Sequence, residues 1–326
     1  MKIVYNGMPQ ARAFKDVLGA VIPDILERRA DAIYLDADLM SCIGTLAYAR
    51  AHPTRAINCG IAEANMIGIA CGLAASGFKP IVHTFGPFAS RRCFDQVFLS
   101  AGYAGNDITV IGTDPGVTAA FNGGTHMPFE DVALYRTIPT ATVFDITDDV
   151  MLESVLWQCL DLPGVKYLRV GRKQNARVFA EGSHIPLGAA IPLREGSDAV
   201  IFATGIMVHE ALQAAERLQQ SGVGAAVVNP FTVKPLDEAT ILNHARRTGA
   251  VVVAENHNRI GGLYAAVSEL LARELPLPVE CVAVEDCYGE VGPQPYLQAR
   301  FGLTAERIEE KVLRAIARRD ARGIGV

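Results

Sequence analysis

The chain has 326 residues, half of them hydrophobic and a fifth charged, with a net charge of −5. That length suffices for two domains with separate cores, and the mixed, slightly acidic composition provides no basic field to attract nucleic acid. No apolar run approaches the roughly 18 residues that a membrane span needs, and no signal-peptide core follows the first residues, so a cytoplasmic protein is expected.

Apolar spacing at residues 14–26 predicts a helix, and β-rich runs at 32–35, 80–84, 108–112, 140–144 and 165–170 predict strands, with a further helix at 150–160. This alternation argues for an α/β unit over residues 1–172, a mostly parallel sheet flanked by helices. Residues 173–196 turn to Gly, Pro, Ser and charged types and are expected to form a linker or peripheral loop. A second α/β domain over 197–326 follows, with strands at 199–203, 225–228, 250–254 and 279–284 and helices at 208–220 and 263–273. The run Thr304-Ala305-Glu306-Arg307-Ile308 predicts a capped start to a final helix. Arg314, Arg318, Arg319 and Arg322 form a small basic tail that reads as a solvated helix face. The seven cysteines (Cys42, Cys59, Cys71, Cys93, Cys159, Cys281 and Cys287) show neither metal-ligand pairing nor a CxxC motif and are expected to be reduced. Cys59 reads as a small apolar filler.

The most informative stretch is Asn58-Cys59-Gly60-Ile61-Ala62-Glu63-Ala64-Asn65-Met66-Ile67-Gly68. Between Ile57 and Phe78, Glu63 is the sole ionisable group besides two thiols. Ile61, Met66, Ile69, Ala70 and Leu73 recur at helical intervals, so the segment reads as a strand, a glycine turn and a buried helix that starts at Glu63. Such a carboxyl either holds a proton for chemistry or complements the helix dipole. Downstream, Phe85 and Phe88 lie three apart beyond a parallel strand, where open sheets place ligands, and could clamp a flat ring or simply fill the core. Farther on, Gly112-Thr113-Asp114-Pro115-Gly116 follows a strand, and Asn122-Gly123-Gly124-Thr125-His126 precedes Glu130-Asp131. His126 can exchange hydrogen bonds with a sugar hydroxyl or stabilise its own loop.

The run around Glu63 resembles the G-I-A-E-x-N-M segment of the transketolase family, in the pyrimidine-binding domain that holds thiamine diphosphate. The resemblance covers nearly the whole chain and implies a pyrimidine-binding domain followed by a transketolase C-terminal domain. It implies that Glu63 hydrogen-bonds the aminopyrimidine ring and activates the cofactor, with Phe85 and Phe88 packed against that ring. Many relatives carry a further aromatic where Arg91 stands, which makes Arg91 a candidate to stack or to reach an anion; Arg92 has a similar choice between binding and a surface ion pair. His126 is implied as a substrate contact and, with Glu63, as a catalytic residue. Asp114 stands where sugar-phosphate transketolases usually have a histidine, and Asn122 where they have an aspartate, so the sugar recognised is open. Arg12, Ser41 and Arg169 fall at positions that grip the substrate phosphate, with Arg172 as an alternative to Arg169. Asp38 falls near the cofactor and the dimer seam, or caps a helix. Glu255-Asn256-His257 with Gly261-Gly262 resembles an element used for packing and subunit contact.

The family builds its diphosphate site from a GDG motif and a later asparagine, with a divalent metal bridging to the phosphates. This chain has no GDG; the nearest string is Gly105-Asn106-Asp107. The resemblance therefore implies a split enzyme in which an N-terminal transketolase subunit holds the diphosphate and the metal, magnesium by expectation, in a dimer of heterodimers. The implied reaction is transfer of a two-carbon ketol unit between sugar phosphates. A β subunit of a 2-oxo acid dehydrogenase, a 1-deoxyxylulose-phosphate synthase-like chain, which would be fused to its own diphosphate domain, and a catalytically silent assembly subunit are the alternatives.

Overall fold

Val, Ile, Leu and Ala fill most of the strands, and the central ones are buried along nearly their whole length, as in a parallel sheet covered on both faces. The computed structural model describes residues 1–9 and 12–321, so Arg322 of the basic tail lies outside the described residues. Its strands are β1 (Ala32–Asp36), β2 (Ala56–Asn58), β3 (Lys79–Phe85), β4 (Ile108–Thr113), β5 (Ala141–Asp145) and β6 (Val165–Val170), then β7 (Ile191–Arg194), β8 (Ala199–Ala203), β9 (Ala225–Asn229), β10 (Thr232–Lys234), β11 (Val251–Asn258) and β12 (Val279–Val284). They form two sheets, β10-β5-β6-β4-β3-β1-β2 and β12-β11-β8-β9-β7. The antiparallel pairings are β10 on β5 and β7 on β9; the remaining ladders are parallel.

Two short strands depart from the sequence expectation. β7 lies within the segment expected as a linker and forms the edge of the second sheet. β10 comes from the second half of the chain but extends the first sheet, placing Thr232 opposite Phe144. Both are short, and both owe their pairing to distant partners rather than to local pattern.

Register places the ends of the first sheet level: Asp36 lies opposite His83, Phe85 opposite Thr113, and Thr113 opposite Val170. The loops that carry Asp38, Phe88, Asp114 and Arg172 therefore all leave the same carboxyl edge. The helices α1 (Phe14–Arg28), α2 (Leu46–Ala51) and α3 (Glu63–Ala75) belong to this half. α3 starts at Glu63, after a turn at Gly60 whose φ of 72° suits glycine. It is largely apolar, and the periodic set around it is divided: Met66 and Ala70 are buried, but Ile61 is 75 % exposed and Ile69 also reaches the surface. The final helix, Ala305–Asp320, opens as its sequence predicts, with the Thr304 hydroxyl accepting from the Arg307 N–H. Among the described residues no helix is long and apolar enough to cross a membrane.

Candidate active site

Position comes first. Glu63 opens α3 and is 3 % exposed; its Oε1 accepts from Arg92 Nη1 at 2.8 Å. Arg92 follows the β3 end and a one-turn helix, and its guanidinium lies 3.7 Å from the centre of the Phe88 ring, a cation–π contact. Phe85 and Phe88 have ring centres 6.3 Å apart. The His126 ring meets both edge-on, at 5.8 Å and 5.1 Å. Glu63, Phe85, Phe88 and His126, widely separated in sequence, are thus brought into one cluster, with Arg92 linking the glutamate to the rings.

His126 has its proton affinity lowered by burial and by the neighbouring charge of Arg92, Arg172 and Arg91, against an opposing pull from Asp114. Its imidazole is neutral at pH 7 and can either accept or donate. Asp114 is nearly buried and accepts from Arg172 Nε at 2.8 Å; Asn122 Nδ2 reaches the same carboxylate at 3.4 Å. Arg172 in turn lies 4.9 Å from the centre of the Phe85 ring and bonds the Cys42 thiol, which brings the exposed Ser41 loop alongside. Asp38, on the neighbouring β1 loop, exchanges hydrogen bonds with Asn58 at 2.9 and 3.1 Å. Positive φ at non-glycine residues falls at Asp38 (64°), Asp114 (59°), Ala120 (49°) and Asp286 (48°). Three of these lie on the loops just described, and such strain persists where surrounding contacts hold a functional geometry.

Three expected sites are corrected by the coordinates. Arg169 is 1 % exposed: it donates to Asp131 at 2.8 Å and to the Asn256 carbonyl at 2.6 Å, and lies 3.5 Å from Asp145. A guanidinium so enclosed has no face left for a substrate anion. Arg172, three residues on and past the strand end, is the one at the cluster. Arg91 does not stack on the aromatic pair; it bonds Glu130 at 2.8 Å and the Thr125 carbonyl at 3.0 Å, bracing the loop before His126, while Arg92 makes the ring contact. Arg12 pairs with Glu153 at 2.7 Å and Asp149 at 3.5 Å beside a separate cavity of about 480 Å³ lined also by Trp157 and His184. No contact among the described residues links it to Phe85, Phe88 or His126.

Other contributors escaped the sequence reading. Asp36, buried at the end of β1, accepts from the Tyr34 hydroxyl at 2.5 Å and from the Leu39 N–H, and bonds His83 Nδ1 at 2.7 Å. His83 Nε2 then meets the Thr113 hydroxyl at 3.1 Å, so one buried chain of polar groups ties the ends of β1, β3 and β4 together. A polar residue two places before Asp38 and a histidine inside an apolar strand were the available signals. From the second domain, Asn256 accepts from the Val117 N–H at 3.0 Å and donates to the Pro115 carbonyl at 2.9 Å. Between them Gly116 has φ of 51°, and a Cβ there would lie 2.2 Å from Asn256 Oδ1. Glu255 accepts from the Leu263 and Tyr264 N–H groups at 2.7 and 2.9 Å, capping the helix Leu263–Glu274. The Glu-Asn-His element thus packs as expected, and it also holds the loop that carries Asp114.

The cluster offers groups that the ring end of a heteroaromatic cofactor could use: a buried carboxyl, two aromatic rings and an imidazole of lowered proton affinity. Among the described residues no group of three or more His, Cys, Asp or Glu side chains could hold a metal ion.

Comparison with known proteins adds the following. The model of the transketolase pyrimidine-binding domain matches residues 10–176 and that of the transketolase C-terminal domain residues 188–308. The chain is 50 % identical over 276 residues to a 6-deoxy-6-sulfo-D-fructose transketolase subunit of Clostridium sp. (strain MSTE9), covering 85 % of this chain and 86 % of that protein. It is 31 % identical over 313 residues to a putative transketolase C-terminal section of Methanocaldococcus jannaschii, covering 95 % and 96 %. It is 34 % identical over 284 residues to rat transketolase, covering 86 % of this chain and 45 % of that protein. Among solved structures, a split-gene transketolase described as an inactive beta4 tetramer superposes with a TM-score of 0.86 at 34 % identity, covering 95 % of this chain and all of that one. With a buried glutamate opening α3 beside two phenylalanines, and with matches along nearly its whole length, the chain belongs to the transketolase family and carries that family's pyrimidine-binding and C-terminal domains.

Proposed function

We propose that this chain is the pyrimidine-binding subunit of a two-subunit transketolase that uses thiamine diphosphate to move a two-carbon ketol unit between sugars. The observation that carries the reading is Glu63, enclosed at the start of α3 with its carboxyl held by Arg92, whose guanidinium covers the Phe88 ring. A carboxyl there can donate to a ring nitrogen out of reach of bulk water, the arrangement that tunes an aminopyrimidine. When bound, thiamine diphosphate supplies the stabilisation of the two-carbon carbanion equivalent that ketol transfer requires. His126 and Asn122 are placed to hold substrate hydroxyls, Asp114 orients Arg172, and Arg172 faces the acid group of the sugar. Asp38 and Ser41 sit on the adjoining loop, toward the seam with the partner.

An N-terminal transketolase subunit is proposed to hold the diphosphate and a divalent metal, magnesium in our reading. The support is the likeness, along most of their length, to a transketolase subunit and to a split-gene transketolase, together with the form of α3. The exposed side of α3 has no ionisable group and presents Asn65, Gly68, Ile69 and Gly72, with Ile61 exposed just ahead of it, and a Cβ at Gly68 or Gly72 would meet nothing within 4 Å. The chain's own packing does not call for those glycines, whereas a close helix–helix contact with another subunit would. Two such pairs would form a dimer of heterodimers in the cytoplasm.

A sulfonated sugar is the second substrate reading, alongside a sugar phosphate. The 50 % identical relative is named for 6-deoxy-6-sulfo-D-fructose. Each arginine at this rim is already matched by a carboxylate: Arg172 by Asp114, Arg91 by Glu130 and Arg92 by Glu63. A rim so balanced suits a singly charged sulfonate better than a phosphate ester of about −1.5 to −2.

The test is reconstitution. The purified chain alone should show no ketol transfer, and mixing with the subunit encoded beside it should restore turnover on ketoses ending in a sulfonate or a phosphate. Glu63→Gln should assemble normally yet lose about 100-fold or more in kcat. Full activity in that variant would remove the role given to Glu63.

A further inference from the structure

Two features of Arg92 stand out. Its Nη1 holds Glu63 Oε1 at 2.8 Å, and its guanidinium plane covers Phe88 at 3.7 Å. The first is the carboxyl oxygen, and the second the aromatic face, that the proposed cofactor ring requires. Arg92 is 45 % exposed and Glu63 only 3 %, so the arginine reaches in from the rim and has room to withdraw, while the glutamate has none.

We propose that Arg92 is a stand-in for the aminopyrimidine ring, competing with it for Glu63 and Phe88, so that cofactor binding expels Arg92 and draws one proton onto the site. The inference rests on the cofactor reading given above and adds a control to it. The exchange balances as follows. An arginine side chain keeps its proton, so the resting contact pairs a guanidinium with a carboxylate. A ring nitrogen that accepts a hydrogen bond needs a carboxylic acid opposite it. The guanidinium therefore leaves with its charge intact, one proton enters from solvent, and it comes to lie between Glu63 and the ring nitrogen.

The neighbours do not provide that proton. The buried Cys93 thiol, close to Glu63, is pushed up to about 12 by burial and by Glu63 itself, and stays protonated throughout. His126, edge-on to Phe88 at 5.1 Å, is lowered by burial and by Arg92 and stays neutral above pH 7. Arg91 and Arg172 carry fixed charge in their own pairs with Glu130 and Asp114. Above neutral pH the uptake must come from the buffer.

Titration calorimetry of thiamine diphosphate into the assembled two-subunit enzyme, with magnesium, in buffers of different ionisation enthalpy, reads both affinity and proton count. For the wild-type pair at pH 8 we expect close to one proton taken up per site. Arg92→Met, which keeps the apolar stem, should bind the cofactor up to about fivefold more tightly, the worth of one partly exposed ion pair, and with a smaller proton uptake. Arg92→Lys keeps the charge without the planar stack and should retain the uptake. Weaker or unchanged binding by Arg92→Met, or the same uptake in all three proteins, overturns the stand-in role while leaving the cofactor reading in place. No binding by the wild-type pair overturns the cofactor reading and this inference with it. Circular dichroism on each variant separates a folding defect from either result, and a raised KM for sugar with unchanged cofactor affinity would make Arg92 a substrate contact instead.

Discussion

Arg169 and Arg172 are three residues apart and chemically identical, yet their surroundings give them opposite duties. Arg169 belongs to β6, buried on both faces, and neutralises Asp131 and Asp145 between the two domains. Arg172 lies past the strand end, against Phe85 and Asp114. Arg169→Met should therefore cost about 3–5 kcal/mol in chemical denaturation, because it leaves buried carboxylates without their counterion. Arg172→Gln should fold normally and raise KM for anionic sugars about 10- to 100-fold, the range for a hydrogen bond to a charged group, with little change for uncharged sugars. The sequence placed both arginines near the site without separating them, since a three-residue offset at a strand end decides which one turns outward. Glu63 was legible because a carboxylate in an uncharged run stands out. The Asp36–His83–Thr113 chain was not, because each member is unremarkable until the register of β1, β3 and β4 sets them side by side.

At the scale of elements, the strands of both sheets follow from alternating apolar runs and helical spacing, and β6, β8 and β12 match their expected bounds residue for residue. β7 and β10 do not follow from pattern, being four and three residues long and stabilised by distant chain. α3 was expected to be a buried helix on account of its composition, but a helix whose outward side carries no charge need not be enclosed by its own chain. Its glycine face gives a direct test. Gly68→Leu adds a side chain into open space, so the isolated chain should keep its melting temperature within a few degrees. The same change should abolish complex formation with the N-terminal subunit in analytical ultracentrifugation, because a branched side chain would block close approach of the partner helix.

Across the whole molecule, the junction between domains is rich in buried charge, and two of its groups titrate in opposite senses. Burial pushes the Glu255 carboxyl up to about 7, and burial pulls the His257 imidazole down to about 4. A buried acid with raised affinity holds its proton in the folded state, so its contribution to stability is lost as pH rises toward 7. A histidine with lowered affinity contributes stability that is lost as pH falls from 6.5 toward 4. The two effects oppose one another between about 4.5 and 6.5. The fall isolated to Glu255 is thus expected from about pH 6.5 to just above 7, and denaturant midpoints measured across that window should flatten in Glu255→Gln. Little of this junction could be read from sequence, because Asp131, Asp145, Arg169, Glu255 and His257 come from distant segments that meet only when the two sheets pack.

The strand Thr232–Lys234 has a consequence for anyone recombining this family. By lending a strand to the first sheet, the second domain ceases to be an interchangeable cassette: a chimera that borrows it from a relative imports an edge that must mate with Val143 and Phe144 of the host. Evolution by domain shuffling inside this polypeptide is correspondingly constrained, because a break between Phe144 and Thr232 separates two strands that pair with each other.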